Sequence, residues 1–296
     1  MTMNSAGLPA RAMGLKETHA WRRLRRAVRS PKGTLLLLFV PMVLLGLPKA
    51  GASEVLPGLF AAAAIAAAID MVTAKLARDR WIFPDGAILS ALIVAMVLSP
   101  IEDWYVVAAT ATLAITSKHL FRIGPANVFN PAALAIVGAS VLFDGVQDWW
   151  GALPALGWWG AGAVLAAGLF MADRIHKMPL VLAFLGPYFA LFTAASLFGD
   201  AGVAEIFRRP DVHAALFFAF FMVDDPPTCP VHFRHQVAFG LITAVACFAF
   251  FQLFGWVYFL PAGLLVANAA EGGRRWLAQQ RRRRHATGRV SLRAAA

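Results

Sequence analysis

Charged residues and cysteines are both scarce in this sequence. Only 15% of its 296 residues are Asp, Glu, Lys or Arg, whereas a soluble domain carries roughly 25%. This shortage excludes an ordinary soluble globular domain and, with a hydrophobic content of 59%, predicts an integral membrane protein. The two cysteines, Cys229 and Cys247, are too few for a disulfide framework or an iron–sulfur cluster.

Acidic residues are outnumbered by basic ones, 16 to 27, which gives a net charge of +11. Sixteen of the 27 basic residues lie in two tails, residues 1–33 and 271–296. No nucleic-acid-binding motif accompanies them, so we predict no nucleic-acid partner. Basic flanks beside apolar helices are typical of cytoplasmic anchors that bind anionic lipids. The sequence therefore predicts two cytoplasmic tails around a transmembrane domain at 34–270.

Long apolar runs fill that central region. Several are shorter than the ~20 residues that a helix needs to cross a bilayer, which indicates tilted or re-entrant segments. We predict an all-α polytopic membrane protein with about ten transmembrane helices, and an even number of crossings places both termini on the same side. The runs are 34–48, 54–77, 86–99, 104–117, 130–143, 152–171, 178–198, 212–223, 235–254 and 256–270.

A weak internal similarity suggests two related halves. The stretches 89–100 and 216–227 are short apolar runs that end at proline, and 127–137 and 264–272 are small-residue stretches that carry asparagine. Membrane proteins built from repeats place their sites at the repeat interface. We therefore predict two related five-helix halves.

The stretch most typical of a functional site is FFAFFMVDDPPTCPV, residues 217–231. Three prolines follow an aromatic run and prevent the helix from continuing, because proline lacks an N–H group and restricts the residue before it. We expect the helix to end at Asp224 and Asp225, whose carboxylates bond the N–H groups of the turn or pair with Arg234. Cys229 is expected to be exposed in this turn.

Other polar residues lie at the ends of apolar runs. Asn130 precedes Pro131, a pattern that predicts a helix N-cap with proline at the first helical position. Asp70 is the one acid in an alanine-rich run, and it either lines a transport path or pairs with Lys75 and Arg78. The tryptophan pairs are expected at the membrane interface: Trp149/Trp150 and Trp158/Trp159.

Three stretches in order resemble the NqrB/RnfD family of membrane flavoprotein subunits: 85–135, 219–230 and 259–271. The resemblance implies a bundle of about ten helices in a bacterial inner membrane. It also implies electron transfer through a flavin, FMN or riboflavin, with other membrane redox subunits and quinone as partners. The chain would then be an electron-transport subunit rather than a stand-alone enzyme.

The resemblance also implies cofactor-binding residues, and no metal site is predicted. In the family, the turn after the aspartates ends in a threonine that takes FMN as a phosphoester, but this position is Val231, which has no hydroxyl group. Thr228 is a substitute acceptor for the phosphoester. The other two hypotheses are that the flavin is bound without a covalent bond and that no flavin is bound. The implied cofactor-binding residues are Asp225, Thr228, Lys118, His119, Asn127 and Asn130.

Lys118 and His119, together with Arg122, have a second interpretation as anchors at the membrane interface. The side of the membrane on which the turn lies also stays open. The resemblance implies a turn outside the cytoplasm, whereas ten crossings place residues 224–234 in the cytoplasm. Two other functions stay open. One is a transporter or channel built on two repeats, and the other is a flavin-less scaffold for partner proteins.

Overall fold

The computed structural model describes residues 30–124, 126–199 and 201–294. Within these ranges the chain forms ten α-helices. The first five, in chain order, are α1 Pro31–Ala50, α2 Ala52–Arg78, α3 Asp85–Val97, α4 Trp104–Leu120 and α5 Pro131–Leu142. A two-residue antiparallel hairpin between α4 and α5 pairs β1 Arg122–Ile123 with β2 Ala126–Asn127.

The second five helices follow an irregular segment at 143–157 that contains two short 3₁₀ turns. They are α6 Trp158–Arg174, α7 Met178–Leu197, α8 Arg209–Phe218, α9 Phe233–Phe254 and α10 Phe259–Ala294. α8 continues directly into a π-helix, Ala219–Val223. The last helix passes without a break through position 270, where the sequence predicted that the membrane domain ends.

The chain is a helical, multi-pass membrane protein. Among the described residues, four helices are long and apolar enough to cross a bilayer: α1, α2, α7 and α9. α3 and α5 are equally apolar but have only 13 and 12 residues. That the shorter helices also cross the bilayer, and that the bundle consists of two related halves, remain predictions.

Successive helices run in alternating directions, so each loop lies at one of two ends of the bundle. α1 and α3 begin at the same end, where Lys32 lies 3.2 Å from Asp85. α2 and α4 finish there, where Lys118 lies 2.9 Å from Asp70. α10 reaches this end at Arg275, which bonds the loop between α8 and α9. We call it the basic end.

The other end, here called the opposite end, is formed largely by backbone pairing of the irregular segment. The amides of Asp148 and Trp149 donate to the carbonyl oxygen of Val97, and Ser99 donates to Val146. The indole N–H of Trp150 donates to the carbonyl oxygen of Ala95 at 2.7 Å. The irregular segment is therefore packed into the bundle rather than lying over it.

The two tryptophan pairs have different environments. Trp149 and Trp150 are buried, so the expectation of an interfacial position for them was wrong, because 3₁₀ turns fold them against α3. Trp158 and Trp159, at the start of α6, are exposed. A membrane-interface role for this second pair stays a prediction.

Candidate functional site

A cavity of about 600 Å³ lies at the basic end, a volume within the usual range for small-molecule sites. Its walls come from the starts of α1, α3 and α5, the ends of α4 and α6, and residues 220–227. Five helix ends and one loop therefore enclose it. The polar groups lie toward the helix termini, and apolar side chains such as Leu89, Ile93 and Met171 line the rest.

The aromatic run forms one wall of this cavity. Phe217 and Phe218 are completely buried in the bundle, whereas Phe220 and Phe221 line the cavity. These last two belong to the π-helix, a wide turn that is frequent at functional sites. The helix ends at Val223, directly before the two aspartates, which confirms the predicted end.

Asn130 joins three elements beside the cavity. Its side-chain oxygen accepts a hydrogen bond from the amide of Ala133 at 3.0 Å, so it caps α5 as predicted, with Pro131 at the first position. Its side-chain nitrogen donates to the carbonyl oxygen of Met222 in the π-helix at 2.9 Å. Its backbone amide donates to the side-chain oxygen of Asn268 in α10 at 2.7 Å. Asn130 therefore fixes the wall rather than facing a ligand with a free group.

Residues 224–231, the Asp-Pro turn, are held by cations through their carbonyl oxygens. The guanidinium group of Arg275 donates to the carbonyl oxygens of Pro227, Thr228 and Cys229 at 3.1, 3.3 and 2.8 Å. The ammonium group of Lys177 donates to the carbonyl oxygen of Pro230. These bonds stabilise a segment in which proline has removed the backbone donors.

A buried carboxylate holds Arg275 in position. Glu271, one turn earlier in α10, accepts from the Nε atoms of Arg274 and Arg275, each at 2.7 Å. Both oxygens of Glu271 are therefore paired, although the residue is buried. The charge of this carboxylate is compensated within α10, and Arg275 remains aligned with the turn.

The two aspartates of the turn differ in their hydrogen bonds. Oδ2 of Asp225 accepts from the hydroxyl group of Thr228 at 3.1 Å, so this carboxylate bonds within the turn. Burial raises the pKa of Asp225 to about 6. Oδ2 of Asp224 has no hydrogen-bond partner among the described residues. Neither aspartate forms an ion pair with Arg234, so this alternative was wrong, and the bond that Asp225 forms within the turn comes from a hydroxyl group rather than from an N–H group. Arg275 and Lys177 bond the carbonyl oxygens of the turn.

Cys229 is completely buried, so the expectation of an exposed thiol was wrong. Its Sγ lies 3.6 Å from the carbonyl oxygen of Asp224. Burial is also the main cause that raises the pKa of this thiol to about 12. A thiol in this environment is unreactive at neutral pH.

Two lysines form the cationic side of the cavity. Lys32 and Lys118 both line it, and both lie near Gly86 at the start of α3. A Cβ atom on Gly86 would lie 3.1 Å from Nζ of Lys32 and 3.7 Å from Nζ of Lys118. The absence of a side chain at Gly86 therefore lets both ammonium groups approach the start of α3. The carboxylate of Asp85 also lies there, where it accepts from the Gly86 amide at 2.6 Å and lies 3.2 Å from Nζ of Lys32.

Asp70 does not pair with Lys75 or Arg78 as expected. Its Oδ1 lies 2.9 Å from Nζ of Lys118 and 3.3 Å from Nε2 of His119, because the ends of α2 and α4 are adjacent. Asp70 is not among the residues that line the cavity. This carboxylate neutralises part of the charge of Lys118.

The sequence-predicted site residues thus separate into two groups. Asp225, Lys118, Asn127 and Asn130 line the cavity. Thr228 and His119 lie behind the lining, in contact with Asp225 and Asp70 respectively.

Neither candidate acceptor for a covalent flavin is suited to this bond. Val231 is 78% exposed but has no hydroxyl group, and the hydroxyl group of Thr228 is buried against Asp225. The residues present therefore do not fit a phosphoester bond at this turn. No group of three or more His, Cys, Asp or Glu side chains in the described part of the chain is placed to hold a metal ion.

Several residues of the site were missed by sequence reasoning. Lys32 and Arg275 were counted with the two basic tails, and Lys177 was not among the predicted site residues. Nothing in their local sequence indicates that they reach the cavity or the turn. Asn268 lies in a stretch noted for its similarity to 127–137, which was the one available signal.

Comparison with known families gives a match to the N-terminal part of the chain, which contributes several residues of this site. The model of the NQR2, RnfD, RnfE family matches residues 17–153. The chain is therefore similar to this family over residues 17–153. The match confirms the resemblance that was inferred from 85–135. No match is found among curated proteins.

The matched segment of the NQR2, RnfD, RnfE family contains α1 to α5, and so Lys32, Gly86, Lys118, Asn127 and Asn130. The Asp-Pro turn and α10 lie outside it. The cavity is therefore formed jointly by the matched segment and by residues 220–227 from the second part of the chain.

Proposed function

We propose that this protein is the membrane subunit of a redox complex and binds a flavin, without a covalent bond, in the cavity at the basic end. One observation carries this proposal. The cavity brings Lys118 and Asn127 from the family-matched segment together with Asp225 from the Asp-Pro turn. The match of residues 17–153 to the model of the NQR2, RnfD, RnfE family supports the same role.

The lining residues fit the parts of a flavin. Phe220 and Phe221 offer aromatic surface for the ring system, and aromatic pairs stack favourably. The amide side chain of Asn127 suits the polar ring edge. Lys32 and Lys118 beside the start of α3 suit the phosphate group of FMN, which riboflavin lacks.

A bound flavin supplies one- and two-electron transfer, while the protein supplies binding and orientation. Asn130 and the cations that bind the Asp-Pro turn connect the walls of the cavity. Other membrane subunits would supply the electron donor, and quinone is the proposed acceptor. The two basic tails are proposed to bind anionic lipids.

The charge distribution supports an orientation in a bacterial inner membrane. In the described part of the chain, the opposite end carries more acidic than basic residues: Glu54, Glu102, Asp103, Asp144, Asp148 and Asp211 against Lys49, Arg208 and Arg209. Basic residues concentrate on the cytoplasmic side of membrane proteins. We therefore place the basic end, with the Asp-Pro turn, in the cytoplasm, with all ten helices crossing in two halves.

The test is the flavin content of the purified protein. Flavin that stays with the folded protein and is released on denaturation supports the proposal, and fluorescence that persists on a denaturing gel would show a covalent bond instead. The double variant Lys32→Gln/Lys118→Gln should weaken FMN binding about tenfold and leave riboflavin binding unchanged. Lys49→Gln, at the opposite end, is the control. Wild-type protein that retains no flavin would contradict the proposal and favour a scaffold.

A further inference from the structure

Asp224 is the least compensated carboxyl group of the cavity. It lines the cavity but is only 4% exposed to solvent. Its Oδ2 has no hydrogen-bond partner in the described part of the chain. Buried carboxyl oxygens are normally bonded, because an unpaired one loses its water without replacement. A partner is therefore missing at this atom.

The surroundings of Asp224 decide its charge. Asp225 lies next to it and repels a negative charge, while Lys177 attracts one but donates its hydrogen bond to Pro230 instead. Lys32 and Lys118 act on Asp225, and Lys118 is paired with Asp70. Burial is the largest cause, and it raises the pKa of Asp224 well above that of an ordinary carboxyl group. The neutral form is therefore favoured.

A neutral carboxylic acid has an O–H donor that needs an acceptor. Planar redox rings such as flavins and quinones share one suitable acceptor, a ring carbonyl oxygen. Phe220 and Phe221, in the same segment as Asp224, form an aromatic wall of the cavity. Asp224 directly follows the π-helix that carries this wall, so a ring stacked on the wall would lie beside Asp224.

We propose that Asp224 is a ligand-binding residue that, as a neutral acid, donates a hydrogen bond to a ring carbonyl oxygen of the cavity's occupant. This inference rests on the proposed function and deepens it, because it assigns the acceptor group that the occupant must carry. The cavity then recognises its occupant at two places. Asp224 binds the ring edge, and Lys32 with Lys118 binds an anionic group.

Binding to two Asp224 variants tests the proposal. Asp224→Leu removes the donor and should weaken binding of FMN, or of a short-chain quinone if quinone is the occupant, about tenfold. Asp224→Asn keeps an N–H donor and should stay within about threefold of wild type. The preferred probe distinguishes the two ring classes. Equal binding by wild type and Asp224→Leu would overturn the proposal while leaving the proposed function intact.

A second measurement does not depend on the Leu variant being folded. Infrared difference spectra, taken on adding the probe to wild type and to Asp224→Asn, should show the C=O stretch of a neutral carboxylic acid only in wild type. The band should shift when the probe binds. The proposal would be overturned if wild type shows no C=O band of a neutral carboxylic acid at neutral pH, or if this band does not shift when the probe binds. Wild type that does not bind FMN would overturn the proposed function, and wild type that binds neither probe would overturn this inference as well.

Discussion

The two ends of the helix bundle are constructed differently. At the opposite end, backbone amides of the irregular segment bond the end of α3, and the cavity beside Trp150 has a volume of only about 10 Å³. At the basic end, charged and amide side chains hold the loops, and a cavity of about 600 Å³ remains between them. Close backbone packing thus leaves no room for a ligand, whereas long side chains can hold a loop in place and leave space beside it.

Helix capping shows the same difference. At the basic end, α1 and α5 are capped by the side chains of Ser30 and Asn130. The other three helices that begin there, α3, α7 and α9, have no side-chain cap in the described structure. Of the helices that begin at the opposite end, α2, α4, α6 and α8 have no side-chain cap in the described structure. Side-chain bonds therefore contribute more at the basic end, and substitutions there should have the larger effects.

The largest effect is expected at Arg275. Arg275→Ala leaves three turn carbonyl oxygens without their donor and removes one partner of Glu271, so it should lower the free energy of unfolding by about 3 kcal/mol. Thermal unfolding in detergent measures the change. The neighbouring Arg274→Ala is the control, since Arg274 bonds Glu271 alone among the described residues. This variant should cost less than about 1 kcal/mol. Equal unfolding temperatures for the two variants would refute this account of the turn.

A smaller effect is expected at Asn130. Asn130→Ala removes the cap of α5 and the bond to Met222, at a cost of about 2 kcal/mol. Asn130→Ser keeps a capping oxygen without placing a carboxylate against the carbonyl oxygen of Met222, and it should cost about half as much. Asp103→Ala is the matched control at the opposite end, because Asp103 precedes α4 without a capping bond. If the Asp103 variant is destabilised as much as the Asn130 variant, the contrast between the ends does not hold.

A pair of glycines separates packing from ligand binding. A Cβ atom at Gly168 would lie 2.2 Å from Phe220 in the cavity wall, and one at Gly151 would lie 2.4 Å from Met96 at the opposite end. Each Gly→Ala variant should cost about 1.5 kcal/mol from overpacking. Only Gly168→Ala should also weaken flavin binding, as measured by fluorescence titration. Weaker flavin binding in Gly151→Ala as well would show that the two ends are coupled.

The smallest effect is a pH dependence at Asp225. Burial raises the pKa of this carboxyl group from 3.8 to about 6 in the folded protein. The folded state therefore keeps a proton that the unfolded chain has lost, and stability decreases as the pH rises from 3.8 to about 6. Asp225→Asn should remove this part of the slope in a series of unfolding temperatures. Parallel curves for variant and wild type would show that the pKa of Asp225 is not raised.

Local patterns in the sequence predicted much of the fold. The ten apolar runs correspond to the ten described helices, the prolines at 226, 227 and 230 end the aromatic helix, and Asn130 with Pro131 starts α5. These features depend on residues within a few positions of each other, so no long-range information is needed. The wrong expectations concerned surroundings that the rest of the chain decides: an ion pair of the aspartates with Arg234, the pairing of Asp70 with Lys75 and Arg78, an exposed Cys229, and an interfacial position for Trp149 and Trp150.

The sequence by itself determined a helical membrane protein, the positions of its helices, and a polar turn after α8. Only the tertiary structure decided which charges meet. Lys177 bonds a carbonyl oxygen of the turn that is 53 positions away in the sequence. Arg275 bonds three carbonyl oxygens that are 46 to 48 positions away. The residues that line the cavity extend from Ser30 to Pro227. Such partners are selected by the packing of helix ends, and this packing depends on shape along the whole bundle rather than on any short motif.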